Sequence, residues 1–175
     1  DYYPTLLESY TVDDQLYCLP KDFSNLALVI NQDAWDAAGL TEDDVPTTWE
    51  ELSAVSQTLT TDGQTGLVFS GEADRVGAFV VQAGGWFTND DQTEATGDSD
   101  EVVAALQYVQ ENVEAGNFQF AAQVEAGWGG EAFGTGAGAM TIEGPWITGA
   151  LNADYPDVNW FAAPMPEGPA GPGTL

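Results

Sequence analysis

The chain has 175 residues, room for one domain or one lobe of a larger protein, and its 43% hydrophobic and 11% aromatic content is that of a packed core. Against 2 Lys and Arg stand 29 Asp and Glu with no His, for a net charge of −27. This excludes binding to nucleic-acid phosphates, for which only Lys21 and Arg75 are available, and the aromatic content argues against an acidic disordered segment.

Asp1 to Tyr10 reads as a polar-aromatic lead-in, helical around Pro4 to Ser9. Two short strands follow, Tyr10–Val12 and Gln15–Leu19, with Asp13–Asp14 as a hairpin turn and Pro20 as a stop. A polar loop from Lys21 to Asn25 leads into Leu26–Ile30, an apolar run expected to be a strand buried on both faces. Asp33 is placed to cap a short helix ending at Gly39. Thr48 and Glu51 flank Trp49 with the spacing of a capping box, and Leu52, Val55, Ser56 and Leu59 form the inward stripe of the helix it opens. Gly66–Ser70 is a short strand. Glu72 to Arg75 read as a loop entering an apolar helix, Val76 to Ala83, that stops at Gly84–Gly85.

Trp86 to Asp98 is acidic and turn-rich. Asp98 or Ser99 caps the longest helix, to about Ala115, with Val102, Ala105, Leu106, Val109 and Val113 on one face. Gly116 ends it, and a linker holding Trp128 leads to a short helix, Gly130–Phe133. Next comes GAGAMTIEGPWITGAL, a buried strand that turns sharply at Gly144–Pro145 into a helix from Pro145 to Leu151, with Trp146 in its first turn. Val158–Ala163 is the last strand, and PMPEGPAGPG is an extended connector. Short apolar strands alternating with helices make an α/β fold, a central sheet flanked by helices.

The carboxylates are scattered through amphipathic segments. A folded chain of this mass exposes ~8,000 Å², which spaces the net charge at intervals of ~17 Å, against a screening length of ~8 Å in physiological salt and ~3 Å at 1 M. That distribution reads as adaptation to a salty solvent, a halophilic protein, and not as a clue to a partner. Cys18 has no partner for a disulfide and no His to activate it, so a packed thiol is expected. No signal peptide, lipid-attachment cysteine or 18-residue apolar run is seen, and the chain has no initiating Met, so it reads as a fragment.

No GxSxG, P-loop, GxGxxG or zinc pattern occurs. The Asp-Asp pairs lack calcium-loop spacing and read as solvated surface, so neither a metal nor a cofactor is expected. Among the tryptophans, Trp49 reads as packed at its helix start and Trp35 and Trp160 as core, while Trp86 fits either a ligand contact or packing, with packing favoured. Trp128, in a glycine-rich linker, is a weaker ligand candidate. Trp146 is the best, because its turn pushes it to the rim, where ligands sit in α/β proteins; an indole capping the core is the alternative. Aromatic platforms flanked by carboxylates suit sugars, whose apolar face stacks on the ring while hydroxyls donate to Asp, Glu or Asn. The loops Asp22–Asn25, Glu72–Asp74 and Gly144–Trp146 are expected to converge on one edge.

The order YCLPKDF…LALVINQDAWDAAGL, VPTTWEELSAVSQTL, QAGGWF, EAFGTGAGAMTIEGPW and FAAPMPEGPAG resembles the extracellular solute-binding proteins of family 1, the maltose-binding-protein-like sugar receptors of ABC importers. The resemblance spans nearly the whole chain. It implies a type II periplasmic-binding-protein-like fold, with residues 1–175 as a single lobe, the carboxyl-terminal one. The interlobe crossings would lie near 17–20 and 161–166, and the amino-terminal lobe would be absent. It implies a monomeric, non-enzymatic receptor outside the membrane, anchored through a missing N-terminus, that hands a mono- or oligosaccharide to ABC permease subunits. By the same resemblance Trp146 stacks on a sugar ring and Glu72 matches a ligand-binding glutamate. Asp74 stands where the family's tyrosine does and Ser24 where it has an acidic residue. The candidate set is Trp146, Glu72, Asp74, Ser24, Asp22, Asn25, Gly144 and Trp128. Alternatives are a receptor for a peptide, polyamine or metal chelate, and a glycosidase using two of the carboxylates.

The reading of the charge is testable by thermal melting followed by circular dichroism. The melting temperature is expected to rise steeply from dilute buffer to molar KCl, and a flat response would remove the halophilic reading.

Overall fold

The computed structural model describes residues 2–174; Asp1, at the head of the expected lead-in, lies outside them. Helix α1 (Pro4–Glu8) is followed by a hairpin of β1 (Thr11–Val12) and β2 (Gln15–Leu16). Asp13 and Asp14 both take positive φ, 50° and 61°, as the tight turn between twisted strands requires. Nothing in residues 2–19 is buried. Cys18 is therefore exposed, not a packed thiol: its apolar neighbours lie on a hairpin that adds no strand to the main sheet. The accessible surface, 9922 Å², exceeds the ~8,000 Å² of a compact chain of this mass for the same reason.

The main sheet has five strands in the order β5-β4-β6-β3-β7. They are β3 (Ala27–Asn31), β4 (Thr65–Phe69), β5 (Phe118–Phe120), β6 (Gly138–Glu143) and β7 (Trp160–Ala163). β5, β4 and β6 are parallel, while β3 runs antiparallel to both β6 and β7. β5 is an addition to the sequence reading, because a three-residue edge strand carries too little periodicity to be recognised. β6 lies at the centre and is buried along its whole length.

Side-chain alternation divides the sheet into two packed faces. Leu28, Ile30, Leu67, Phe69, Met140 and Ile142 point to one face, under α3 (Trp49–Leu59), α4 (Ala73–Gln82) and α5 (Asp100–Glu114). Val29 and Val68 point to the other, under α6 (Gly129–Gly134) and α7 (Ile147–Asp154). The expected α/β fold, a central sheet flanked by helices, is the one found.

Local signals explain most helix ends. Thr48 and Glu51 form the capping box of α3, and Ser99 caps α5. The short helix α2 (Gln32–Ala37) is capped by Asn31, whose side chain accepts from the Ala34 N–H at 2.9 Å, and not by Asp33. Asn31 holds the extended backbone needed at a cap, whereas Asp33 already lies inside the helix. The buried stripe of α5 is Val102, Ala105, Val109 and Asn112. Leu106 is exposed, one position too far round the helix to reach the sheet. Trp35 and Trp49 are buried as expected, and Trp160 is half-buried against the second face. Trp86 is exposed, its ring set against that of Phe87 5.2 Å away on an open loop, so the expectation of packing fails there.

The segment after β7 is not an extended connector but a strap lying on the lobe. Glu167 pairs with Thr47 and Trp49 through backbone hydrogen bonds, and the Ala170 N–H donates to the Gln82 carbonyl. Gln82, fully buried at the end of α4, ties the strap down. Its Oε1 accepts from the Trp49 indole N–H at 2.7 Å and its Nε2 donates to the Gly173 carbonyl at 2.6 Å. Replacing Gln82 with Leu strands a buried indole N–H and is expected to lower stability by about 1–3 kcal/mol, read from urea unfolding; an unchanged midpoint would show that the strap is not held there.

Candidate functional site

β4, β5, β6 and β7 end, and β3 begins, at the same edge of the sheet. Three polar segments leave from it. Ala27 is paired with Glu143, so the exposed loop holding Asp22, Ser24 and Asn25 enters the sheet beside the point where β6 runs into Gly144–Trp146. Ser70 to Glu72 follow β4, with Glu72 as the N-cap of α4. The expected convergence on one edge is found, although the first loop arrives there because it precedes a reversed strand.

The edge is organised by a residue read from sequence only as part of a loop. α4 begins at Ala73, which puts Arg75 in its first turn with its side chain 8% exposed. Arg75 Nη2 donates to Glu143 Oε2 at 2.6 Å, and Nη1 donates to Glu72 Oε2 at 3.0 Å and to Asp74. Glu143 Oε2 also accepts the Trp146 indole N–H at 2.7 Å, and the guanidinium carbon lies 5.2 Å from the indole centroid. Each of Arg75, Glu143 and Trp146 thus touches the other two.

Glu143 is fully buried. Gly129, at the start of α6, comes so near that a Cβ there would stand 2.8 Å from Glu143 Oε1 and 2.7 Å from Thr141 Oγ1. Burial pushes the Glu143 carboxyl above the usual carboxylate range, against the pull of its hydrogen bonds from Arg75 and Trp146. Burial also works against the charge on Arg75, but the hydrogen bond to Glu143 and the fields of the three carboxylates hold it charged. One guanidinium among three carboxylates leaves the cluster with a net negative charge.

Trp146 is 44% exposed. Its six-membered ring lies over Gly144, where a Cβ would stand 2.2 Å from Cζ3, so the close approach demands glycine. Glu72 and Asp74, with side chains 65% and 44% exposed, hold Arg75 with one side and face solvent with the other. Asp22 pairs with Lys21 at 2.8 Å on the exposed loop; Asp22, Ser24 and Asn25 make no hydrogen bond to the Arg75 cluster among the described residues. Trp128 is half-buried, its ring over Gly130, and packs on Val29, Phe133, Ile147 and Leu151. Arg75 and Glu143 are the residues that sequence reasoning missed. The signals were present: one of two cations placed at the head of an apolar helix, and a carboxylate closing an otherwise uncharged strand.

Removing the buried carboxylate should be far more damaging than removing an exposed one. Glu143→Ala leaves Arg75 buried without its main partner and is expected to cost about 3–5 kcal/mol, whereas Glu72→Ala should cost less than about 1 kcal/mol. Denaturant unfolding of the two variants checks the order, and equal effects would contradict the geometry.

Residues 1–175 match the family model described as bacterial extracellular solute-binding protein. No curated protein sequence matches the chain. Among solved structures, the cyclic α-maltosyl-1,6-maltose binding protein of Arthrobacter globiformis is 29% identical with a TM-score of 0.80, over 98% of this chain and 44% of its own. The GacH receptor of Streptomyces glaucescens, solved unliganded and with acarbose, is 26% identical with a TM-score of 0.83, over 99% and 45%. UgpB of Mycobacterium tuberculosis, in complex with glycerophosphocholine, is 21% identical with a TM-score of 0.82, over 99% and 46%, a likeness of fold alone. This chain therefore spans less than half the length of the structures it matches, and its fold is that of a single lobe of type II periplasmic binding proteins. The chain belongs to the bacterial extracellular solute-binding protein family.

Proposed function

We propose that the chain is the carboxyl-terminal lobe of a non-enzymatic carbohydrate receptor serving an ABC importer, with the exposed stretch near 17–20 leading to a second lobe. The expected crossing near 161–166 is not kept, because that stretch and the strap after it are hydrogen-bonded to this lobe. The observation that carries this reading is the exposed Trp146 indole at the sheet edge, flanked by the solvent-facing carboxylates of Glu72 and Asp74. A pyranose ring would stack on the indole while its hydroxyls donate to those carboxylates. Gly144 lets the ring lie flat on the turn. Asp22, Ser24, Asn25 and the exposed part of Trp128 supply further polar and aromatic contacts at the rim.

The ligands named for the neighbours from Streptomyces glaucescens and Arthrobacter globiformis, acarbose and a cyclic maltosyl-maltose, support a sugar. The electrostatics supports an uncharged ligand. Arg75, the one buried cation among the described residues, is surrounded by three carboxylates and has no charge to spare for a phosphate or carboxylate ligand. In this reading the receptor works as a monomer on the outer side of the membrane, anchored through a segment preceding the chain, in a salty medium. It delivers its sugar to the permease without chemistry on the glycosidic bond.

Isothermal titration of the full-length receptor against neutral oligosaccharides, glycerophosphocholine, a peptide and a polyamine tests the reading. Heat is expected with oligosaccharides only, and Trp146→Ala should weaken it by about 10-fold or more, as loss of a central aromatic contact does. Binding of a charged ligand, or sugar binding indifferent to Trp146, would overturn it.

A further inference from the structure

A buried ion pair is seldom the most stabilising filling for a core, since well-packed apolar residues of the same size often do as well or better. The Arg75–Glu143 pair therefore calls for a reason beyond stability, and its geometry supplies one. The oxygen of Glu143 that holds Arg75 Nη2 at 2.6 Å also holds the Trp146 N–H at 2.7 Å. The guanidinium stands over the same indole, 5.2 Å from its centroid, and Gly144 supports the six-membered ring. Trp146 is thus fixed at its N–H and through its ring and yet remains 44% exposed. A surface tryptophan on a turn ordinarily samples several rotamers; this one has its polar edge committed inward while 44% of it stays open to solvent.

We propose that Arg75 and Glu143 are positioning residues for ligand binding: they hold the Trp146 indole in its stacking orientation before the ligand arrives, and touch no ligand themselves. The inference rests on the reading of Trp146 as a stacking platform, and the ligand it favours is the flat apolar face of an uncharged pyranose. Binding then does not have to immobilise the side chain, a saving equivalent to roughly a 3- to 10-fold gain in affinity. Glu143 acts as the acceptor, Arg75 holds that acceptor in place, and Gly129 closes the space behind it.

The test uses the full-length receptor without ligand and reads the indole N–H of Trp146 by ¹⁵N NMR, assigned by its loss in Trp146→Phe. The indole N–H of Trp49, bonded to buried Gln82, is an internal control for the fold. In the unmodified protein the Trp146 proton should exchange with solvent much more slowly than a free indole; exchange at the free rate overturns the proposal without any variant.

Two double variants remove both charges and differ only in the acceptor. Arg75→Met with Glu143→Leu should free the Trp146 proton while that of Trp49 stays protected. It should also weaken binding of maltotriose or β-cyclodextrin about 3- to 10-fold. Arg75→Met with Glu143→Gln, which keeps an acceptor oxygen, should recover most of both losses. Equal loss of binding in both doubles, or a leucine variant with its indole still protected and its affinity unchanged, overturns the proposal. If the unmodified receptor binds neither sugar, the sugar reading fails, while the exchange measurement still decides whether the indole is held.

Discussion

At one carboxylate oxygen, Glu143 Oε2, the central strand, helix α4 and the exposed Trp146 turn meet. Glu143 ends the central strand, receives a guanidinium from a helix on one side of the sheet, and receives the N–H of the indole on the next turn. Arg75 stands on α4, which packs on the face opposite to α6, while Gly129 of α6 closes over Glu143. The pair therefore clasps the two helical layers together across the end of the sheet. Removing a charge from water costs several kcal/mol per ion, and the hydrogen bonds from Arg75 and Trp146 to Glu143 Oε2 offset that cost.

The placement follows from ordinary rules. The central strand is buried on both faces, and β6 carries its one charged group, Glu143, as its last residue. Reversing β3 brings a loop to the same edge that parallel strands would have sent elsewhere. The strap from Pro164 to Gly173 performs a similar service at the other end of α4, where Gln82 satisfies both Trp49 and the strap backbone. α4 is thus anchored at its start by an ion pair and at its end by an amide, which fixes the height at which Arg75 meets Glu143.

Features set within a few residues of one another were legible from sequence. The capping box Thr48–Glu51, the buried LALVI run, the Gly144–Pro145 turn and the rim position of Trp146 are all local. What depends on distant partners was not. Arg75 and Glu143 are 68 residues apart, and nothing near either one names the other. Cys18 was expected to pack because its neighbours are apolar and Leu106 because of its helical spacing, and packing was favoured for Trp86, but all three are exposed. The same reasoning explains why α4 begins three residues earlier than expected. Glu72, Asp74 and Arg75 look like a polar loop until Arg75 is seen to pair with both carboxylates over the first turn.

Trp146 is held at its N–H by Glu143 and lies beside the Arg75 guanidinium, yet is 44% exposed. The most direct measurement is the structure of the full-length receptor with a neutral oligosaccharide bound, in concentrated KCl. It should show a pyranose packed on the exposed surface of Trp146, hydroxyls on Glu72 or Asp74, and Glu143 still bonded to both Arg75 and the indole. A sugar seated away from Trp146, or an indole that has let go of Glu143 in the complex, would contradict it.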